Sequence, residues 1–200
     1  MQVPEEVKIN RPTTYPIHPL IESRWSARAM SGEKISEKEL MSLFEAARLT
    51  PSSYNNQPWR FFYAMRESSE WDLFFSFMGE FNQSWTKNAA VLLVIASNPF
   101  FTHNHKPCRT HSFDTGAAWM SLSLEGNSRG LIVHGMEGFD YDKAKKGLEL
   151  PEDYTVEAMA AIGKKGDPSM LSKELQEREK PSPRAPLTEY FIQGKFKKKS

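Results

Sequence analysis

Hydrophobic positions along the chain switch between helical and strand spacing, and the switches mark its elements. Leu40, Leu43, Phe44 and Ala47 recur at helical spacing behind Ser36-Glu37-Lys38-Glu39, which has the form of a capping box. A helix is predicted from Ser36 to near Leu49, ahead of Pro51. Arg60 to Met65 is aromatic-rich and unbroken and predicts a strand. Trp71, Phe74, Phe75, Met78 and Phe81 then predict one helix with a wide aromatic face, capped by Ser68 or Ser69. Trp85 follows in a polar turn and is expected to be partly exposed. Val91 to Ala96 is a six-residue apolar run, suited to a strand buried on both faces. Asp114 is placed to cap a helix from Thr115 to Arg129, stopped at Gly130. Gly116, Ala117, Ala118 and Ser121 would let a neighbour approach that helix closely, in the core or at a subunit interface. Strands at Leu131–Val133 and Val156–Ile162, and a short helix capped by Asp140, complete the pattern.

The two ends are different. Residues 1–19 hold four of the thirteen prolines and predict an extended arm, with residues 20–200 forming a single domain. Asp167 to Arg184 is charged and nearly free of hydrophobic residues, which predicts a surface excursion. Leu187 to Phe191 could form one anchoring turn, followed by a basic tail, Lys195 to Ser200.

Composition narrows the classes of function. Hydrophobic content of 39% and charged content of 26% are ordinary for a soluble globular protein. A net charge of +1 argues against a dedicated nucleic-acid binder. No apolar run reaches the roughly 20 residues needed to span a bilayer, so no membrane partner is expected. A single cysteine and a polar N-terminus fit a cytoplasmic protein.

The chemistry concentrates in three stretches. Pro51-Ser52-Ser53-Tyr54-Asn55-Asn56-Gln57-Pro58-Trp59 is a polar loop bracketed by prolines, dense in donors and acceptors. Arg24-Trp25-Ser26-Ala27-Arg28 puts two guanidiniums and a hydroxyl on one face if extended, which suits a phosphate or other polar anion. His103, His105, Cys108 and His111 could supply zinc ligands, but their spacing matches no specific zinc pattern and no metal site is assigned. The chain has no nucleophile elbow, phosphate-binding glycine loop or metalloprotease motif. Arginines, amide and hydroxyl loops and abundant aromatics suit an aromatic cofactor that carries a phosphate.

From about Ile21 to Phe191 the chain resembles the nitroreductase family of FMN-dependent oxidoreductases. The resemblance rests on Arg24-Trp25-Ser26-Ala27-Arg28, similar to the family's Arg-Arg-Ser-x-Arg, and on the Pro51–Trp59 loop about 25 residues on. Asp114-Thr115-Gly116-Ala117-Ala118 resembles the start of the family's central helix. The resemblance implies an α+β fold with a central, mostly antiparallel sheet flanked by helices, in an intertwined homodimer with FMN at the interface. It implies that Arg24 and Arg184 grip the phosphate, that Ser26, beside Trp25, holds the ribityl chain or phosphate, and that Arg28 sits at the pyrimidine edge as the catalytic charge. Pro51, Ser52, Ser53, Asn55 and Gln57 would form the loop contributed by the partner subunit, and His134, Gly135 and Met136 would approach the ring by their backbone. Trp25 replaces the family's second arginine, and Lys165 replaces a usual proline after Gly163, so Lys164 or Lys165 could share the phosphate with Arg184. The implied reaction is ping-pong hydride transfer from NADH or NADPH through the flavin to a nitroaromatic, quinone or similar small-molecule acceptor. A non-catalytic flavin-binding or storage protein, and a dehydrogenase or dehalogenase on the same fold, are the alternatives.

Overall fold

The computed structural model describes residues 2–196. Its centre is a four-stranded antiparallel sheet of order β1-β2-β4-β3, with β1 Trp59–Met65, β2 Val91–Ser97, β3 Leu131–Met136 and β4 Thr155–Lys164. Nine helices stand around it among the described residues: α1 Glu5–Asn10, α2 Pro19–Ser23, α3 Glu37–Arg48, α4 Trp71–Phe75, α5 Glu80–Thr86, α6 His111–Ser128, α7 Tyr141–Gly147, α8 Lys173–Glu177 and α9 Leu187–Tyr190.

All seven residues of β2 are buried, because both faces of the sheet are covered. Alternation sorts its side chains into two cores. Val91, Leu93 and Ile95 join Leu40 and Leu43 of α3 and Ala118 and Leu122 of α6. Leu92 and Val94 join Phe74, Phe77 and Trp85 on the opposite face. The α+β sandwich is therefore as expected, with α3 and α6 forming one outer layer and α4, α5, α7 and α8 contributing to the other.

Several local expectations are corrected. The aromatic stripe does not lie on one helix: the chain leaves α4 at Ser76, bridges Met78 to Phe139, and restarts as α5 after Gly79, leaving Phe81 exposed. Trp85 is 1% exposed, not in an open turn, because Asn82 takes its indole N–H at 3.3 Å and so makes full burial affordable. Residues 1–19 are not wholly extended: α1 forms and Val7 is fully buried. The excursion after Asp167 is anchored, with Leu171 and Leu175 driven into the core by the capped turn of α8. Leu187–Tyr190 does make a turn, but Leu187, Tyr190 and Phe191 remain exposed. The basic stretch Lys197–Ser200 lies outside the described residues. Among the described residues no helix is long and apolar enough to cross a membrane.

The capping box at α3 forms in full: Ser36 Oγ accepts from Glu39 N at 3.2 Å, and Glu39 Oε2 accepts from Ser36 N at 2.9 Å. Ser36→Ala should lower stability by about 1 kcal/mol in urea unfolding. An unchanged midpoint would mean that packing of α3 on α6 alone sets this end of the helix.

Candidate active site

The first site element is the strap from Arg24 to Ser31, which runs across the end of β4. Its backbone is pinned from Ala27 to Ser31. Ser31 N donates to Lys164 O at 3.0 Å, and Gly166 N donates to Ala29 O at 2.7 Å. Arg28 N and Ala29 N both donate to Glu179 Oε1 at 2.8 Å. Ala27 O accepts from His134 Nδ1 at 2.9 Å. Gly163 and Gly166 admit this crossing, because a Cβ at either would meet Met30 within 3 Å.

His134 thus meets the strap through its side chain. A carbonyl oxygen can only accept, so Nδ1 carries the proton and Nε2 does not in the neutral ring. Burial, and then Arg28 and Arg24 nearby, outweigh the Ala27 bond and hold the imidazole pKa down at about 4. The ring packs on Trp85 with centroids 4.6 Å apart. Gly135, next along β3, is required by the indole of Trp119, which a Cβ would meet at 2.9 Å, and Met136 is core.

The strap carries its cations half-buried. Burial lowers the Arg24 pKa, and Arg184 lowers it further. Arg24 Nη1 and Arg28 Nε are buried without a hydrogen-bond partner. Burial also lowers Arg28, against an opposing pull from Glu179, with Arg178 adding to the lowering. Trp25 is partly buried and packs against the core of this face, and Ser26 is half-buried. Arg24 and Arg184 do meet, in a cleft of about 850 Å3 whose walls include Ile21, Met120, Leu124 and Leu187. Arg11 lines the same cleft; it lies in the proline-rich arm and carried no motif that sequence reasoning could use. Lys164 and Lys165 do not join the cluster: Lys164 pairs with Glu33 at 2.9 Å and Lys165 with Glu6 at 3.5 Å.

The second element is the polar loop. Ser52 Oγ accepts from Gln57 N at 2.9 Å, and Gln57 Nε2 donates to Asn55 O at 3.1 Å. Tyr54, Asn55 and Gln57 all have φ near +50°, a conformation that L-residues seldom hold without outside support. The support is α6 and the loop that precedes it after β2. Thr50 Oγ1 donates to Ser121 Oγ at 2.7 Å, and Ser53 N donates to Asp114 Oδ2 at 3.1 Å. Asn56, buried, donates to Phe100 O at 3.1 Å and accepts from Thr102 N at 3.0 Å. Pro51 is exposed at the start of the loop.

Asp114 is therefore not a helix cap. The helix starts earlier, at His111, and Asp114 in its first turn turns its carboxylate to Ser53 N–H and the Thr110 hydroxyl. The histidine-rich stretch disperses: His111 Nδ1 lies 2.7 Å from Ser97 Oγ, Cys108 is buried, and His103 packs with Phe101 and Tyr54. Among the described residues no group of three or more His, Cys, Asp or Glu side chains is arranged to hold a metal ion.

Two half-sites result, at opposite ends of α6. The loop binds α6 at Asp114, and the strap side binds it at Asn127, whose Nδ2 donates to Leu20 O and Ser23 Oγ at 2.9 Å. Thirteen residues of helix separate these points, or roughly 20 Å.

The site's acid response follows from His134. The folded state holds its pKa near 4, below the ordinary 6.5, so the unfolded chain binds the proton first as pH falls. Stability is fully present above pH 6.5 and is lost between 6.5 and 4, by about 3 kcal/mol at most. Urea unfolding of wild type and His134→Gln at pH 7.0 and 4.5 checks this: the variant should lose roughly 2 kcal/mol less on acidification. Equal losses would place the acid sensitivity elsewhere.

The profile described as Nitroreductase family matches residues 21–164. The crystal structure of an oxidoreductase containing FMN is 42% identical, with a TM-score of 0.90, over 95% of this chain and 98% of that one. The major NAD(P)H-flavin oxidoreductase of Aliivibrio fischeri is 31% identical over 46% of this chain and 43% of its own length. An oxygen-insensitive NADPH nitroreductase of Helicobacter pylori is 32% identical over 43% of this chain and 42% of its own. The matches thus span under half the length of these two curated relatives. With the family profile covering both the strap and the loop, the chain belongs to the nitroreductase family.

Proposed function

We propose that the chain is an FMN-dependent oxidoreductase, using NADH or NADPH and passing electrons to a nitroaromatic, quinone or similar small-molecule acceptor. The observation that carries this reading is the buried, unpartnered guanidinium edge of Arg24, in one cleft with Arg184 and with no ion-paired carboxylate among the described residues. Leaving such a group unpaired is costly, and a phosphate supplies the missing acceptors. The names of the relatives, an oxidoreductase containing FMN and a NAD(P)H-flavin oxidoreductase, support the choice of that phosphate carrier.

The residues present fit the group. Arg24 and Arg184 would hold the phosphate, with Ser26 beside them. Arg28 would supply a fixed positive charge, and its position would be set by Glu179 and, through Ala27, by His134. Bound flavin would supply the hydride-accepting and electron-donating chemistry. The chain's part is to keep Arg28 charged and oriented in a place where water screens it little, the preorganised electrostatics that favour developing negative charge. His134, whose pKa is held at about 4, is neutral at pH 7 and adds no competing cation beneath the strap.

A homodimer completes the site. The loop of Ser52, Ser53, Asn55 and Gln57 is anchored on α6 at Asp114 and the strap side at Asn127, roughly 20 Å apart, and none of these four loop residues lines the arginine cleft of its own chain. A two-fold axis with α6 antiparallel to its partner brings one chain's loop to the other's cleft. Phe113, Gly116, Met120 and Leu124 lie on one side of α6 at i, i+3, i+7 and i+11; Phe113 is 78% exposed and Met120 39% exposed, which suits a face covered by a second copy.

Anaerobic mixing of the FMN-loaded protein with NADH or NADPH tests the reaction. Either should bleach the oxidised flavin absorbance; firm flavin binding with no bleaching by either would favour a non-catalytic flavin binder. Arg24→Ala should weaken FMN by about 10- to 100-fold. Mixing Arg24→Ala with Ser52→Ala/Asn55→Ala protein tests the shared site. Random re-pairing should restore full affinity to about a quarter of the sites, since each heterodimer holds one intact site. No restoration would place both half-sites on one chain.

A further inference from the structure

We infer that Arg11, from the proline-rich N-terminal arm, is a third phosphate-binding arginine, and that with it the cleft selects a phosphorylated flavin over an unphosphorylated one. The inference rests on the proposed FMN reading and adds to it a residue outside the strap and loop.

Arg11 reaches the cleft by the folding of the arm. It follows α1, whose Val7 is fully buried and anchors the segment. Its guanidinium is held from two sides: Nη1 donates to Arg24 O at 3.0 Å and Nε donates to Ser182 O at 3.1 Å. It therefore ties the strap to the residues just before Arg184. Arg184 Nη1 in turn donates to Ser182 O and Pro183 O. Three guanidiniums, from the arm, the strap and the C-terminal segment, thus line one cleft. Glu22 also lines it, yet among the described residues no carboxylate lies within 4.0 Å of Arg11, Arg24 or Arg184 as an ion pair. Burial weakens proton retention at Arg11, and both other arginines add to the effect. A fold that gathers three like charges without a counter-ion is stabilised by a dianion placed among them. Arg11 spends two of its five N–H groups on backbone carbonyls, so three remain for a ligand.

The experiment compares FMN and riboflavin binding to the full chain by flavin fluorescence, at two salt concentrations. Wild type should bind FMN far more tightly than riboflavin. Arg11→Ala should weaken FMN by about tenfold and leave riboflavin unchanged, with FMN binding less sensitive to salt. Arg11 also holds the arm in place, so Arg11→Gln is read beside it: it keeps an N–H donor without the charge. Arg11→Gln should fall with Arg11→Ala, and Arg11→Lys should recover part of the loss. Loss of affinity for both flavins alike, or wild-type FMN affinity in Arg11→Gln, would make Arg11 a structural strut and overturn the inference. A wild type that binds neither flavin would instead overturn the FMN reading on which it rests.

Discussion

Positive charge held half out of water without a counter-ion is the constraint around which this molecule is built. Such groups raise the energy of the empty fold, so the backbone that carries them must be fixed by other means. The strap from Arg24 to Ser31 is fixed from three directions. The end of β4 bonds it edge to edge, Glu179 takes two of its amides, and His134 holds the carbonyl of Ala27. None of these contacts neutralises Arg24; they only prevent it from turning away. On the proposed reading the arginine cleft is prepared for an anion before any anion arrives, which is the arrangement that lowers the ordering cost of binding.

The same economy governs the polar loop. Three non-glycine residues near φ +50° would relax in an isolated segment. Asp114, Ser121 and the buried Asn56 hold them, so α6 supports the loop at one end and the strap side at the other. Helix α6 is in effect the ruler of the site. Its length sets the separation of the half-sites, and its outer face of Phe113, Gly116 and Met120 is open to a second copy. A single element therefore links the core, the loop geometry and the proposed assembly.

Some of this was legible in the residues alone. The capping box of α3, the doubly buried β2 and the Asp140 cap of α7 are local patterns with one good solution each, and they form as read. The strap and the loop were also visible, because motifs of arginine, serine and asparagine are short and contiguous. Errors came where a distant partner decided the outcome. Trp85 is buried because Asn82, itself bonded to Glu137 O and Gly138 O, satisfies its N–H. Asp114 sits inside α6 because Ser53, 61 residues away, claims its carboxylate. The aromatic stripe breaks because Met78 pairs with Phe139.

By itself, then, the sequence determined the order of the four strands and the positions of α3, α6 and α7, the alternation that divides the core in two, and the chemical character of the strap and loop. Those properties depend on neighbours within a few residues, where backbone geometry and side-chain period act directly. Only the tertiary structure decided which charges gather. Lys164 and Lys165, close to the strap in space, are drawn off by Glu33 and Glu6, whereas Arg11, from an arm with no motif, joins Arg24 and Arg184. Charges act over several ångströms of space whatever their separation along the chain, so their grouping follows from how the arm, the strap and the C-terminal segment pack together.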